Sequence, residues 1–577
     1  MNKELFGVFG SIEVFERHRS VEAFDDVLAG TELTVGIRDP GLGTPGWSAR
    51  YADERGICVV WGEAYVPGDE TNAARWLLEQ YDSEDDAAFD VLNGSYLAVV
   101  DPVDDDAFVA TDPVRSRECF YTDEPGVRTF GTDAASVAQT IDAPSVNRNA
   151  VLEYLHLGVT LGEKAAFEEL SRLPIDSQLT QSGVESFERF VYRPHQFDYV
   201  EELANRLKQA LERRSILPGR KGLLLSAGYD SRIFLPTIPD IDRCYTVGTP
   251  SAQEVTGARR VANQYGADHV AFEPDERYLL ADESKTRYGQ GIKESLHIHH
   301  AGYTDEMNVD TMYHGLLCDT FFRGHFTAQD TIELFGTEVP RNRLDPDPDP
   351  VDSLLGKFGY DRESSEALAE RIAFDEDPEP FVRDAIAEEF DAVGDRAVTT
   401  QNSLTCCGIA NQPSIPFHNH LADNFFASFL AADIELVRWH LETPPAHRTT
   451  ETFLKACERL DPDLLHHRPP DRPHDVTLLN EAERFIRRKT PLLEPFESPW
   501  PDRRWIFEHY ELDRKLLPEL EHVHELPARH KLRLNDLNRW IGASTDDVDS
   551  ARSWLHPKSI VRDENGNDDR STQPLPQ

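Results

Sequence analysis

The chain has 577 residues, with 59 Lys and Arg against 104 Asp and Glu, a formal net charge of −45. That length suggests about two to four domains, and 39% hydrophobic with 10% aromatic residues is enough to build large cores, so the acid coats folded surface. The balance excludes a binder of phosphate backbones, which need clustered Lys and Arg; no run of about 18 apolar residues predicts a membrane span, and the start MNKELFGVFG has no secretory pattern.

Of the basic residues only 12 are lysine. An acidic surface poor in lysine is tolerated where salt screens charge at short range, which predicts a halophilic setting and a salt-rich, cytoplasmic location. Seven cysteines without regular spacing predict a reducing compartment and no disulfide framework. The adjacent Cys406 and Cys407 read as small buried residues.

In chain order, the first 150 residues read as short strands: Val59–Val66, Gly94–Asp101, Asp106–Asp112 and Gly126–Asp133, each bounded by Gly, Asp or Pro. With one helix over Thr71–Tyr81 and another over Arg148–His156, they predict an antiparallel α/β sandwich. A connecting segment runs to about Arg193. From Tyr199 the pattern becomes helix Val200–Arg214, strand Gly222–Ser226, a helix from near Arg232, strand Cys244–Gly248, helix Glu254–Tyr265 and strand Thr311–Leu317. Strands alternating with helices predict a doubly wound parallel sheet. Asn342–Asp352 (NRLDPDPDPVD) reads as a Pro/Asp spacer no helix tolerates. It opens an acidic helical insertion over about 335–395. Helices resume from Cys407 to Trp439 and through Leu532, and the polar tail 558–577 is expected to be disordered.

The segment Ser226–Ser231 (SAGYDS) carries the chemistry. It joins a strand to a helix start, where Gly228 gives a tight turn and backbone amides with the Ser226 and Ser231 hydroxyls offer donors to phosphate. Asp230 would repel bare phosphate unless a cation lies between them, which implies Mg²⁺. At later strand ends Thr246–Glu254 supplies a Gly turn, a Ser and Glu254, and His314–His325 supplies Gly315 and Asp319. Such ends converge at the carboxyl edge of a parallel sheet, so Asp230 and Asp319 are expected to share one Mg²⁺ on a nucleotide's phosphates. His297, His299 and His300 could share a helix face as metal ligands, but no complementary spacing supports it, and polar residues near the cleft are the preferred reading.

These segments resemble the asparagine synthetase family. SAGYDS follows its S-G-G-x-D-S pyrophosphate loop with Ala227 for one Gly. His314–His325 aligns with S-G-[DE]-G-x-D-E-[LV]-F-x-G-Y, keeping Gly315, Asp319, Phe322 and Gly324. FGVFG (Phe6–Gly10), WGEAY (Trp61–Tyr65), NGSYLAVVD (Asn93–Asp101) and FEELSRLP (Phe167–Pro174) resemble the family's class II glutamine amidotransferase half. The resemblance spans roughly residues 5 to 440. It implies an Ntn-hydrolase-like region over 1–192 and an adenine-nucleotide α-hydrolase-like, ATP-binding region over 199–540. Asp230 and Asp319 would be catalytic and bind Mg²⁺. Leu225, Val247, His314 and Gly315 would line adenine and ribose, and Ser226, Gly228 and Ser231 would hold pyrophosphate, with Glu254 beside the nucleotide. The implied activity is a carbon–nitrogen ligase of the kind used in asparagine biosynthesis. It would adenylate a small-molecule carboxylate and pass it to ammonia or an amine; a homodimer is compatible with the family, and no nucleic acid or membrane partner is implied.

The departures bear on the reaction. The glutaminase nucleophile must be an N-terminal Cys whose α-amine is the base. Phe6 stands there, and the nearest Cys is Cys58. Trp61 replaces the family's Asn, so this half is expected to serve structure or docking. Leu316 and Thr320 replace two acids of the third motif. The later R-x-K segment reads HHRPPDRPHD (His466–Asp475) without lysine. Arg468 and Arg472 are electrostatic substitutes with a different geometry, and Lys455 reads as a solvated face. The alternatives left open are a ligase for another carboxylate, such as a cyclisation, and a nucleotide-binding scaffold without catalysis.

Overall fold

The computed structural model describes residues 2–555 apart from 69, 85–86, 123–126, 335–336, 375, 475–476 and 491–492. The tail 558–577 therefore lies outside the described residues, as does Asp475. The β-rich runs of the N-terminal third form two six-stranded sheets. One is centred on Glu4–Val8, paired antiparallel with Thr34–Arg38 and Thr129–Gly131. The other is centred on two ten-residue strands, Gly56–Tyr65 and Asn93–Pro102, paired along their whole length. Their inward side chains, among them Leu5, Phe130, Val59, Leu97 and Val99, make one core between the sheets. Helix Ala73–Glu84 packs on the outer face of the second sheet. Arg148–Leu157 packs on the first, so this part is a four-layer α/β sandwich.

The remaining sheet has five strands, all parallel, in the spatial order Asp268–Phe272, Ile241–Val247, Lys221–Leu224, Thr311–His314, Phe426–Phe429. Numbered along the chain this is 3-2-1-4-5, a doubly wound sheet that reverses direction between Lys221–Leu224 and Thr311–His314. The predicted α/β class and its two kinds of sheet are thus present. The strand Phe426–Phe429 lies inside the stretch expected to be helical, because helix Ile415–Asn424 ends just before it and Phe425 turns extended.

Local expectations shift at three other points. After Ser231 the chain makes only a 3-10 turn, Ser231–Phe234, in place of a helix. The Pro/Asp spacer is shorter than expected: the hairpin strand Thr337–Leu344 enters it, and helix Pro350–Phe358 starts within it. Proline is harmless in that first turn, where its missing N–H has no helical partner, and Asp349 caps the Asp352 amide. The acidic segment also contributes to the core, since Leu354, Leu355, Phe358, Val382 and Ile386 join the largest apolar cluster. Helix Ala528–Ser544 returns to the first sheet's helical layer, with Trp540 tilted against Phe167 at 5.5 Å between ring centroids.

The parallel sheet abuts the two-sheet body through buried polar contacts. Glu63, within WGEAY, accepts hydrogen bonds from the Phe429 amide at 2.8 Å and the Ser428 hydroxyl at 3.1 Å. Buried Arg214 joins it at 3.2 Å and also reaches Asp433 at 2.6 Å. Among the described residues, no helix is long and apolar enough to cross a membrane.

Candidate functional site

Ser226–Ser231 follows the central strand of the parallel sheet and Gly315–Asp319 follows its neighbour, so the two segments flank the point where the sheet reverses. The loop is closed by its own serines. Ser231 Oγ accepts the Ser226 amide at 3.0 Å, and Ser226 Oγ accepts the Gly228 amide at 3.2 Å. The Ala227 amide donates to Glu254 Oε1 at 2.7 Å, tying the loop to the start of helix Gln253–Gln264. Burial raises the Glu254 carboxyl above its ordinary range, and the Ala227 amide works against that rise. The amides of Tyr229 and Asp230 have no acceptor among the described residues, which suits a loop that meets an anion.

The Ala227 methyl group is accommodated by a glycine: a Cβ built on Gly257 of the facing helix would lie 2.7 Å from the Ala227 Cβ. Gly228 has room around it, with only Ser226 Oγ near an added Cβ at 3.1 Å. The glycine the loop cannot replace is Gly315. A Cβ there would lie 2.6 Å from the Asp230 carbonyl carbon and 2.7 Å from the Ser231 nitrogen. Two residues on, Leu317 adopts φ +64, a left-handed conformation that is costly for a branched side chain, and it launches the short helix Cys318–Arg323.

That helix places Asp319 and Arg323 one turn apart on the same side. Arg323 Nη1 donates to both Asp230 oxygens at 2.8 Å each. Burial raises the Asp230 carboxyl, Arg323 opposes the rise, and the negative charge of Asp319 adds to it, so the two acids feel one another. Asp319 is more open; its Oδ1 accepts the Thr320 amide at 2.8 Å and its Oδ2 lies 3.4 Å from His325 Nδ1. Asp230 thus already has a cation in Arg323, and a Mg²⁺ shared by Asp230, Asp319 and phosphate oxygens would require Arg323 to release it. Arg323 carried no signal of its own in the sequence, since it occupies a variable position of the motif; its spacing of four from Asp319 could have found it.

A second arginine fixes the loop from behind. Arg232 donates to the carbonyls of Ala227 at 2.6 Å and Gly228 at 2.8 Å, and also to Leu464 and His467, so the HHRPPDR segment lies over the loop. The charges of Arg468 and Arg472 reach Tyr229, and that of Arg472 reaches Asp230. Lys455 is exposed and paired with Glu451 at 2.7 Å, one turn away on its own helix.

The remaining residues are placed as follows. Leu225 is buried in the largest core, with its amide donating to the Tyr245 carbonyl at 2.9 Å. Val247 ends the neighbouring strand, half-buried. His314 turns toward Phe417 and Phe429, and its Nε2 lies 3.1 Å from His418 Nδ1. Burial holds its pKa down to about 3, so it is neutral. His418 Nε2 continues to Ser95 Oγ at 3.2 Å in the two-sheet body. His420 Nδ1 lies 3.0 Å from His300 Nε2, with the two rings edge-on. His299 and His300 sit in a 3-10 segment, and among the described residues no group of three or more His, Cys, Asp or Glu is arranged to hold a metal. A cavity of about 510 Å³ elsewhere is lined by Glu283, Leu516, Asn538 and Arg539 and shares none of the loop's residues.

At the other candidate site, Phe6 is fully buried, edge-on to Phe15 at 5.6 Å. Cys58 is buried mid-strand, where burial drives its thiol above the ordinary range. Neither offers a nucleophile.

No family model matches the chain, and no curated protein does. Among solved structures it is similar to the allosteric regulatory enzyme of purine biosynthesis, at 10% identity and TM-score 0.21, covering 62% of this chain and 88% of that one. It is also similar to glutamine phosphoribosylpyrophosphate amidotransferase from B. subtilis complexed with ADP and GMP, at 10% identity and TM-score 0.20, covering 54% and 74%. Likeness at this level carries neither a reaction nor a substrate across.

Proposed function

We propose that the chain is an ATP-dependent amide-forming ligase, resembling asparagine synthetases, in which residues 199–540 carry the chemistry and residues 1–192 form a docking half without glutaminase action. The reading rests on one observation: Ser226–Ser231 and Gly315–Asp319 flank the reversal point of a 3-2-1-4-5 parallel sheet, the crevice where such sheets bind ligands. The amides of Tyr229 and Asp230 would meet phosphate, and Asp230 with Asp319 would hold Mg²⁺, whose charge supports phosphate negative charge. Val247, at the end of strand Ile241–Val247, would line the adenine side of that crevice. A substrate carboxylate oxygen would attack the α-phosphorus, breaking its bond to the β-phosphate oxygen and releasing pyrophosphate. Ammonia or an amine would then attack the acyl carbon, expel AMP and lose a proton.

The test is pyrophosphate release from Mg²⁺-ATP with a panel of carboxylates in high KCl. The wild-type chain should release pyrophosphate with at least one acid, and Asp230→Ala should not. Equal release by both would remove Asp230 from the mechanism. The hold of Arg323 on both Asp230 oxygens favours a second reading, a scaffold that binds nucleotide without turnover. Calorimetric binding of Mg²⁺-ATP with no pyrophosphate from any acid would select it.

A further inference from the structure

Arg323 occupies the carboxylate that the candidate site would offer to a metal ion. Its Nη1 donates to both Asp230 oxygens, and its Nε lies 3.3 Å from Thr450 Oγ1 on helix Thr450–Leu460. Its Nη2 has no hydrogen bond or ion pair among the described residues. Burial opposes the guanidinium charge, but Asp230 and then Asp319 outweigh it and hold Arg323 above its ordinary value. The side chain is 11% exposed, so water and salt screen this pair little.

Other charges reach this cluster without contact. Arg472 acts on Asp230 from a distance and is itself paired with Asp471 at 3.4 Å. Lys357 and His325 feel the charge of Asp319. Within contact range, Asp230 and Asp319 with Arg323 sum to one negative charge. A divalent cation added to those three would leave one positive charge, with the guanidinium on the same two oxygens the metal must use. Like charges that close repel strongly where burial excludes water. Without Arg323, two carboxylates would remain, which a divalent cation balances. The two cations therefore compete for Asp230. Phosphate is the group that could draw Arg323 away, because it matches the guanidinium fork and Nη2 is uncommitted.

We propose that Arg323 is a positioning residue that keeps divalent cations off Asp230 while the site holds no nucleotide. It acts through Asp230 and makes the metal wait for the phosphate that releases the guanidinium. The identity of that phosphate rests on the ligase reading; the exclusion rests on the Arg323–Asp230 contact alone. Since the competitor is tethered, the apparent affinity for the cation falls in proportion to the fraction of chains in which Arg323 has let go.

Mn²⁺ titration of the full chain without nucleotide, read by the paramagnetic resonance of the free ion, tests the exclusion. High KCl suppresses loose association with the acidic surface. Arg323→Met should bind one Mn²⁺ at least about tenfold more tightly than the wild-type chain, and adding Asp230→Asn should remove the gain. If Arg323→Met fails to fold, Arg323→Lys, which keeps a cation but loses the planar fork, should show a smaller gain with the same dependence on Asp230. An unchanged Mn²⁺ affinity in the folded variant, or a gain that survives Asp230→Asn, would overturn the proposal. Calorimetry with Mg²⁺-ATP separates it from the ligase reading. No binding by the wild-type chain, beside an Asp230-dependent Mn²⁺ gain in the variant, would end the ligase reading and leave the exclusion standing. Mg²⁺-ATP binding by the wild-type chain with no Mn²⁺ gain in the variant would do the reverse.

Discussion

Phe6, inside the central strand of one sheet, and Ser226, just past the central strand of another, each open a short motif with a glycine, yet they are built for opposite ends. Around Phe6 the space is filled with Phe15, Phe24 and other apolar side chains. Around Ser226 there are amides without acceptors among the described residues, two interacting carboxylates and two arginines that hold the loop. The difference teaches that one chain can build two layered α/β bodies and gather polar groups at a strand end in only one of them. What the two-sheet body keeps is polar docking: Glu63 on Phe429, Ser95 on His418 and Lys3 on the end of helix Ile415–Asn424.

The contrast is sharpened most strongly by parallel substitutions. Asp230→Ala is expected to lower pyrophosphate release at least about 1,000-fold, near 4 kcal/mol of barrier, and to lower the unfolding midpoint because Arg323 loses its partner; a loss of release below tenfold at a temperature where the variant is folded would break the contrast. Phe6→Cys restores a thiol in the two-sheet body, yet it should give no glutamine hydrolysis, because Met1–Leu5 precede it and the site is sealed. It should instead cost about 3 kcal/mol in chemical denaturation through lost packing. Ammonia released from glutamine by that variant would overturn the docking assignment. Gly315→Ala should push against the Asp230–Ser231 backbone, with about 2 kcal/mol of destabilisation and a raised KM for ATP, whereas Gly228→Ala should be tolerated.

The smallest effect is spread over the seam between the two halves. His314 and His420 are buried and neutral, with pKa values lowered to about 3. Burial is the main cause. The unfolded chain takes up protons at these positions below about pH 6.5 while the folded chain refuses them, so stability falls as pH drops from there toward 3. Each should contribute roughly 1–2 kcal/mol of loss by pH 5. His420→Gln should flatten that slope in urea unfolding measured across pH, and an unchanged slope would remove the histidine from the effect.

Much of this arrangement is written locally. Strand–helix alternation from Tyr199, the Ser226–Ser231 turn and the acids at positions 230 and 319 were legible because periodicity and turn chemistry act over a few residues. The helix caps at Asp198 and Asn147 are local in the same way. Phe426–Phe429 was not legible, since a four-residue edge strand between helices takes its conformation from the neighbour it pairs with. The core role of the acidic segment was hidden for a related reason: charge on one face of a helix masks the apolar face that packs.

The sequence by itself determined the kinds of sheet, the Ser226–Ser231 turn after a strand and the absence of a nucleophile at Phe6, since each depends on residue type and nearby spacing. Only the tertiary structure decided that Arg323 holds Asp230 and that Gly315 and not Gly228 fixes the loop's clearance. These are meetings between residues distant in sequence. Their energies depend on burial and on which partner arrives, and neither quantity exists until the chain has folded.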